Sequence, residues 1–108
     1  MKEKTSEMLE HLDNILVKVD LLSEKDNSEL KYNLDDLEKV KNTIIEFKYI
    51  LKNEKNIILI DLKKLKEISI IIFELNSNNL FSEFTDYISN ELYAFAFLLQ
   101  EKIKKKEN

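Results

Sequence analysis

The only histidine of the chain, His11, is the first residue to consider for chemistry. It has Glu10 beside it, Asp13 two positions later and Glu7 one helical turn earlier. Di-iron helix bundles use a Glu-x-x-His spacing, but the residue three positions before His11 is Met8. A structural zinc site needs further histidines or cysteines, and the sequence has one His and no Cys. We therefore expect no metal site and no cofactor, and interpret His11 as an ordinary residue at the edge of a helix stripe.

Carboxylates are plentiful, and Asp35, Asp36 and Glu38 form a local group. Adjacent acids at the start of a helix complement the positive end of its dipole. A catalytic carboxylate needs burial that raises its pKa, yet none falls on an apolar stripe, and Asp61 and Glu91 come nearest, at stripe edges. Walker, Rossmann and nucleophile-elbow motifs need glycine, which is absent. The sequence therefore predicts a protein that is not an enzyme, with no catalytic residue.

The chain of 108 residues contains no glycine, no proline and no cysteine. Glycine supplies tight turns and proline ends helices, so their absence favours helices joined by short polar links. The hydrophobic fraction of 44% is large enough to form a core despite 35% charged residues. We expect one helical domain over residues 1–108.

Apolar residues recur at three- and four-residue steps in four segments, at about 6–22, 29–52, 56–75 and 80–105. In the first segment this apolar stripe consists of Met8, Leu9, Leu12, Ile15, Leu16, Val19 and Leu22. The break Asn76-Ser-Asn-Asn79 is the clearest loop, because Asn can replace Gly at a helix end. The pattern predicts an all-α fold, an antiparallel up-down-up-down four-helix bundle.

A strand alternative is open for two β-branched runs, residues 57–60 and 68–73. The segment 61–67 between them contains strong helix formers and no turn residue, and the helical stripe passes through both runs. Helix is the favoured interpretation.

The third and fourth segments carry more apolar surface than one stripe needs. At 100° per residue, Tyr93 and Phe97 point away from the stripe of the fourth helix, with Tyr87 and Leu98 on a flank. Ile60, Ile70 and Ile71 do the same on the third helix. These residues are the candidate partner or oligomer interface. Three arrangements would cover them: an asymmetric bundle with these helices at its centre, a homodimer, or a docking face for another protein.

The net charge is −4, and no arginine is present. An acidic chain without Arg is poorly suited to nucleic-acid binding. The basic tail with Lys102, Lys104, Lys105 and Lys106 is expected to complement a helix C-terminus and aid solubility, and the alternative is weak association with anionic membrane surfaces. No apolar stretch approaches the roughly 20 residues of a membrane span, so insertion is not expected. The absence of cysteine and of a signal-peptide pattern predicts a cytoplasmic location.

Small Lys-rich helical bundles of this size resemble bacteriocin immunity proteins and phage-borne inhibitors of host enzymes. The resemblance is one of architecture and composition, and it implies a non-enzymatic protein that binds a protein partner and neutralises or regulates it. Richness in Lys, Asn and Ile suggests an A+T-rich genome, bacterial or phage. The alternative function is a structural homo-oligomer, such as a homodimer, that assembles through the third and fourth helices.

Overall fold

The computed structural model describes residues 2–24, 34–53, 60–76 and 82–107. These residues form four helices: α1 (Lys2–Ser23), α2 (Leu34–Asn53), α3 (Leu62–Asn76) and α4 (Ser82–Glu107). None of the residues in these ranges is in a strand, so the all-α prediction is confirmed for them. Residues 68–73 are helical, so the strand alternative for this run is wrong. Ile60 lies in a bend, while residues 57–59, the predicted start of the second segment and most of the Asn76–Asn79 loop lie outside the described residues.

The third helix begins later than about residue 56, the start that we expect from its stripe. Asp61 is its N-cap: the side-chain Oδ1 accepts a hydrogen bond from the Lys63 amide at 2.9 Å, and the Asp61 carbonyl accepts one from the Leu65 amide at 3.1 Å. Ile60 therefore lies before the helix, not on its outer face, and is only 4% exposed. Its assignment to the candidate interface is corrected, because its side chain belongs to the core.

Each helix packs against two neighbours. α1 contacts α2 and α4, and α3 contacts the same two helices, while the diagonal pairs touch only lightly. The molecule measures 49 × 22 × 22 Å, as expected for a helical bundle with its helices along the long axis. We call the lines along which neighbouring helices meet the α1–α2, α2–α3, α3–α4 and α1–α4 seams.

The core follows the apolar stripes. On α1, the buried residues are Met8, Leu12, Ile15, Val19 and Leu22, all members of the predicted stripe. In the middle of the bundle, Phe47 of α2 and Phe95 of α4 stack across the diagonal, with ring centroids 5.9 Å apart and planes 16° from parallel. The core thus holds all four helices against one set of apolar side chains.

Candidate functional site

The predicted interface residues differ in how the structure exposes them. Tyr93 and Phe97 of α4 are 76% and 53% exposed, and Ile70 of α3 is also exposed. Ile71 and Leu98 are partly buried against the core. The extra apolar surface of the last two helices is therefore covered only in part by the chain itself.

Tyr87 is less available than Tyr93, although it too is partly exposed. The Lys18 ammonium lies 4.7 Å from the centroid of its ring and 5.7 Å from that of Phe84. A cation above an aromatic face is attracted by the ring quadrupole. Tyr87 thus belongs to the α1–α4 seam, where its ring contacts Lys18.

Sequence reasoning missed two exposed apolar residues of α3. Phe73 is 75% exposed, and Leu62, expected on the buried stripe, is also exposed. Leu62 is the first residue of the helix, so its side chain lies at the end of the core. For Phe73 a signal existed, because a helical wheel puts it about 100° or more from the stripe residues Ile68 and Ile72.

A shallow depression of about 230 Å³ lies between α3 and α4. It is lined by Ser69 of α3 and by Ser89, Leu92, Tyr93 and Ala96 of α4. Because Ser69, Ser89 and Ala96 have small side chains, another molecule can come close to the backbones of both helices here. Leu92 and Tyr93 supply apolar surface. We define the α3–α4 face as this depression together with the exposed apolar residues Leu62, Ile70, Phe73, Tyr93 and Phe97.

Ion pairs or hydrogen-bonded charges cross the other three seams. The α1–α2 seam has Asp13 paired with Lys48, and Asp20 with Lys41 at 3.2 Å. The α2–α3 seam has Lys39 with Glu67 at 3.4 Å and Lys64 with Glu46 at 2.9 Å. The α1–α4 seam has His11 with Glu91 at 2.5 Å. None of these pairs joins α3 to α4. Exposed apolar side chains occur on α1 and α2 as well, at Val17, Leu21, Ile45 and Tyr49.

The contacts of His11 are those of a residue that links two helices. Its Nδ1 lies against Glu91 Oε2, which also accepts a hydrogen bond from Asn14 Nδ2 at 3.4 Å. No group of three or more possible metal-ligating side chains occurs within the described ranges. The contacts of His11 therefore link two helices, and Glu91, noted from the sequence at a stripe edge, is its partner.

An open groove of about 440 Å³ along the α2–α3 seam is lined by charged and polar side chains: Asp35, Glu38, Lys39, Asn42, Thr43, Glu46, Lys64 and Glu67. Its lysines are paired with its own acids. The hydrogen bond that Lys64 donates to Glu46, and then the negative charge of Glu46, raise the pKa of Lys64 above the ordinary 10.5. Both lysines of this groove are thus paired, with Glu46 and Glu67, and Asp35 and Glu38 are the further carboxylates of its lining.

The basic tail is only partly available for an anionic surface. Lys102 donates a hydrogen bond from Nζ to Thr5 Oγ1 at 2.5 Å, and Lys104 is exposed. The side chains of Lys105 and Lys106 lie outside the described residues. One of the four lysines is therefore engaged in holding α4 to α1.

Comparisons with family models, with curated proteins and with solved structures give no match to this chain. In the described part of the chain, no helix combines the length and the apolar content needed to cross a bilayer.

Proposed function

We propose that this chain is a non-enzymatic protein that acts by docking a polypeptide partner on its α3–α4 face. By covering a surface of the partner, the chain neutralises or regulates that partner, as an immunity protein or an inhibitor does. The observation that carries the proposal is a set of large apolar side chains exposed on α3 and α4, with a depression between these two helices: Leu62, Ile70, Phe73, Tyr93 and Phe97.

The composition of the face supports this role. Aromatic residues are enriched at protein interfaces and dominate their binding energy, because they bury a large area with few rotatable bonds. Phe73 and Tyr93 are each about three-quarters exposed, and the depression beside Tyr93 has room for a large side chain of a partner. A surface with protruding rings and an adjacent hollow fits an amphipathic helix better than a small polar ligand.

We also infer that neighbouring helices run antiparallel, in up-down-up-down order. The contacts between α1 and α4 run in opposite order along the two helices: Thr5 with Lys102, His11 with Glu91 and Lys18 with Tyr87. The ion pairs across the α1–α2 and α2–α3 seams are reversed in the same way. It follows that α3 and α4 are antiparallel to each other, with the start of α3 beside the end of α4.

The test is a capture experiment with a matched control. The wild-type chain, a Tyr93→Glu/Phe97→Glu variant and a Tyr49→Glu variant are immobilised and exposed to lysate of the source organism. Tyr49 of α2 is 59% exposed and lies away from the α3–α4 face, so its variant controls for adding charge at an exposed tyrosine. We expect a protein retained by the wild type and by Tyr49→Glu, and lost with Tyr93→Glu/Phe97→Glu.

Retention of the same protein by all three chains would contradict the proposal, since the face would then play no part in binding. Circular dichroism of each variant checks that the helices are retained.

A further inference from the structure

The floor of the groove along the α2–α3 seam, called the α2–α3 groove from here on, is a threonine. Thr43 is only 7% exposed, while every other side chain of the lining is exposed or partly exposed. Within the described part of the chain its hydroxyl has no hydrogen-bond partner, yet no polar side-chain atom there is both fully buried and unpaired. The Thr43 hydroxyl therefore reaches the open space of the groove, where it is free to bond to a ligand.

Two ion pairs frame Thr43 across the seam. Lys39, four positions before it on α2, pairs with Glu67 of α3 at 3.4 Å, and Glu46, three positions after it, pairs with Lys64 at 2.9 Å. At 1.5 Å per residue, the two pairs lie about 6 Å before Thr43 and about 4.5 Å after it along α2. The hydroxyl thus lies between two bridges, in a section of the groove that the chain leaves open.

The charges of the lining favour a cation as the occupant. Four carboxylates and two ammonium groups line the groove, and both ammonium groups are already paired. Asp35 and Glu38 join no ion pair among the described residues, and they leave the lining with a net charge of −2. No three acidic side chains of the described ranges are grouped as metal ligands, which points to an organic cation. An anion would have to displace a carboxylate from Lys39 or Lys64, at a cost in Coulomb energy.

We propose that the α2–α3 groove binds a guanidinium group, which donates hydrogen bonds to the Thr43 hydroxyl and to the carboxylates of Glu46 and Glu67. A carboxylate can accept more than one donor, so both keep acceptor sites beside the lysines that they already bind. Asp35 and Glu38 supply the negative charge that offsets these two lysines. Glu38 lies about 7.5 Å from Thr43 along α2, within a Debye length at physiological salt.

A guanidinium fits these acceptors better than an ammonium does. Its five N–H donors form a planar fork, so it can bond to several acceptors around one point at once. The chain has no arginine, so neither the chain nor a second copy of it can supply the group. The source is therefore another molecule, either an arginine of a polypeptide or a small guanidine compound. The groove lies on the α2 side of α3, so this inference does not depend on docking at the α3–α4 face.

Titration of the 108-residue chain with small probes, followed by NMR, tests the inference. The probes are the blocked peptide Ala-Arg-Ala, the same peptide with citrulline as a neutral isostere of arginine, the same peptide with lysine, and butylguanidinium as a small guanidine compound. We expect saturable amide shifts at residues 39–46 and 64–67 with both guanidinium probes. Dissociation constants on the order of 1 mM are expected, because a small ligand on an open polar groove retains little of its contact energy. The lysine peptide should bind more weakly, and the citrulline peptide should give no saturable shift.

Matched variants test each part of the site. Thr43→Val keeps the shape of the side chain without the hydroxyl, and the dissociation constant for Ala-Arg-Ala is expected to rise roughly fivefold, the equivalent of one hydrogen bond. Asp35→Asn/Glu38→Gln should raise it roughly threefold through weaker attraction. Glu83→Gln/Asp86→Asn removes the same charge from exposed positions of α4 and should leave it unchanged. Circular dichroism checks the folding of each variant.

Saturable binding of the guanidinium probes that weakens in Thr43→Val supports the inference. Tighter binding of the peptide then assigns the site to a polypeptide, and tighter binding of butylguanidinium assigns it to a small compound. The inference is overturned if the shifts do not saturate, if the citrulline or lysine peptide binds as tightly as Ala-Arg-Ala, or if Thr43→Val binds like the wild type. Asp35 and Glu38 are exposed and can be changed without touching the core, so their double variant decides the question if Thr43→Val does not fold.

Discussion

The imidazole Nδ1 of His11 lies 2.5 Å from Glu91 Oε2 and so joins α1 to α4 across 80 positions of the sequence. Both side chains are largely shielded, with 28% and 16% of their surface exposed. A shift of one helix along the other by a turn would separate them and leave two polar groups at the edge of the core. The pair therefore favours one register between the helices that pack most extensively.

A double-mutant cycle measures this link. His11→Ala and Glu91→Ala are each expected to lower the free energy of unfolding by about 1–3 kcal/mol, because each removes the contact between two partly buried polar groups. The coupling energy between them should be about 1 kcal/mol, measured by urea denaturation. The exposed pair Asp20 and Lys41 supplies the control cycle, with an expected coupling below about 0.5 kcal/mol. Equal coupling in the two cycles would contradict a register role for His11.

Phe95 and Phe97 allow a second comparison, between two phenylalanines on one helix. Phe95 is fully buried and stacks on Phe47, whereas Phe97 is 53% exposed. Phe95→Ala is expected to lower the free energy of unfolding by about 3–5 kcal/mol, since it leaves a cavity in the centre of the bundle. Phe97→Ala should change it by less than about 0.5 kcal/mol in urea denaturation at dilute concentration. Similar losses for both would mean that the α3–α4 face is part of the folding core.

The apolar stripes of the sequence predicted the core well, for a physical reason. A helix in a bundle must bury one face, so residues at three- and four-position steps, such as Ile88, Leu92, Phe95 and Leu99 on α4, are buried wherever the helix packs. The excess of apolar residues on α4 was equally visible, and Tyr93 and Phe97 are exposed as their angles from the stripe indicate.

Features that depend on contacts between neighbouring helices could not be predicted from the apolar stripe of one segment. Tyr87 and Tyr93 are both off the stripe, but only the packing of α1 puts Lys18 over Tyr87. Likewise, the start of α3 at Leu62 follows from the choice of Asp61 as a cap, which the unbroken stripe through that position concealed. The polar pairs between helices, such as Asp20 with Lys41 and His11 with Glu91, depend on the register between the helices, which no single segment encodes.

The N-cap at Asp61 gives a third prediction. Asp61→Ala removes the acceptor for the Lys63 amide at the first turn of α3, and is expected to cost about 1 kcal/mol of unfolding free energy. Asp61→Asn keeps an oxygen that can accept the same hydrogen bond, so it should lose clearly less. Thermal or urea denaturation followed by circular dichroism compares the two variants. If alanine and asparagine behave alike, the helix does not depend on this cap.

The hydrogen bond between Lys64 and Glu46 makes stability depend on pH at the alkaline end. Because Glu46 raises the pKa of Lys64 in the folded protein above 10.5, the ammonium form is favoured by folding. The stabilisation is fully present below pH 10.5, and it is lost as the pH rises through the folded-state pKa. An NMR titration of the Lys64 side chain should show a pKa above 10.5 in the wild type and a fall towards that value in Glu46→Gln. An unchanged titration curve in Glu46→Gln would mean that the carboxylate does not hold the ammonium in solution.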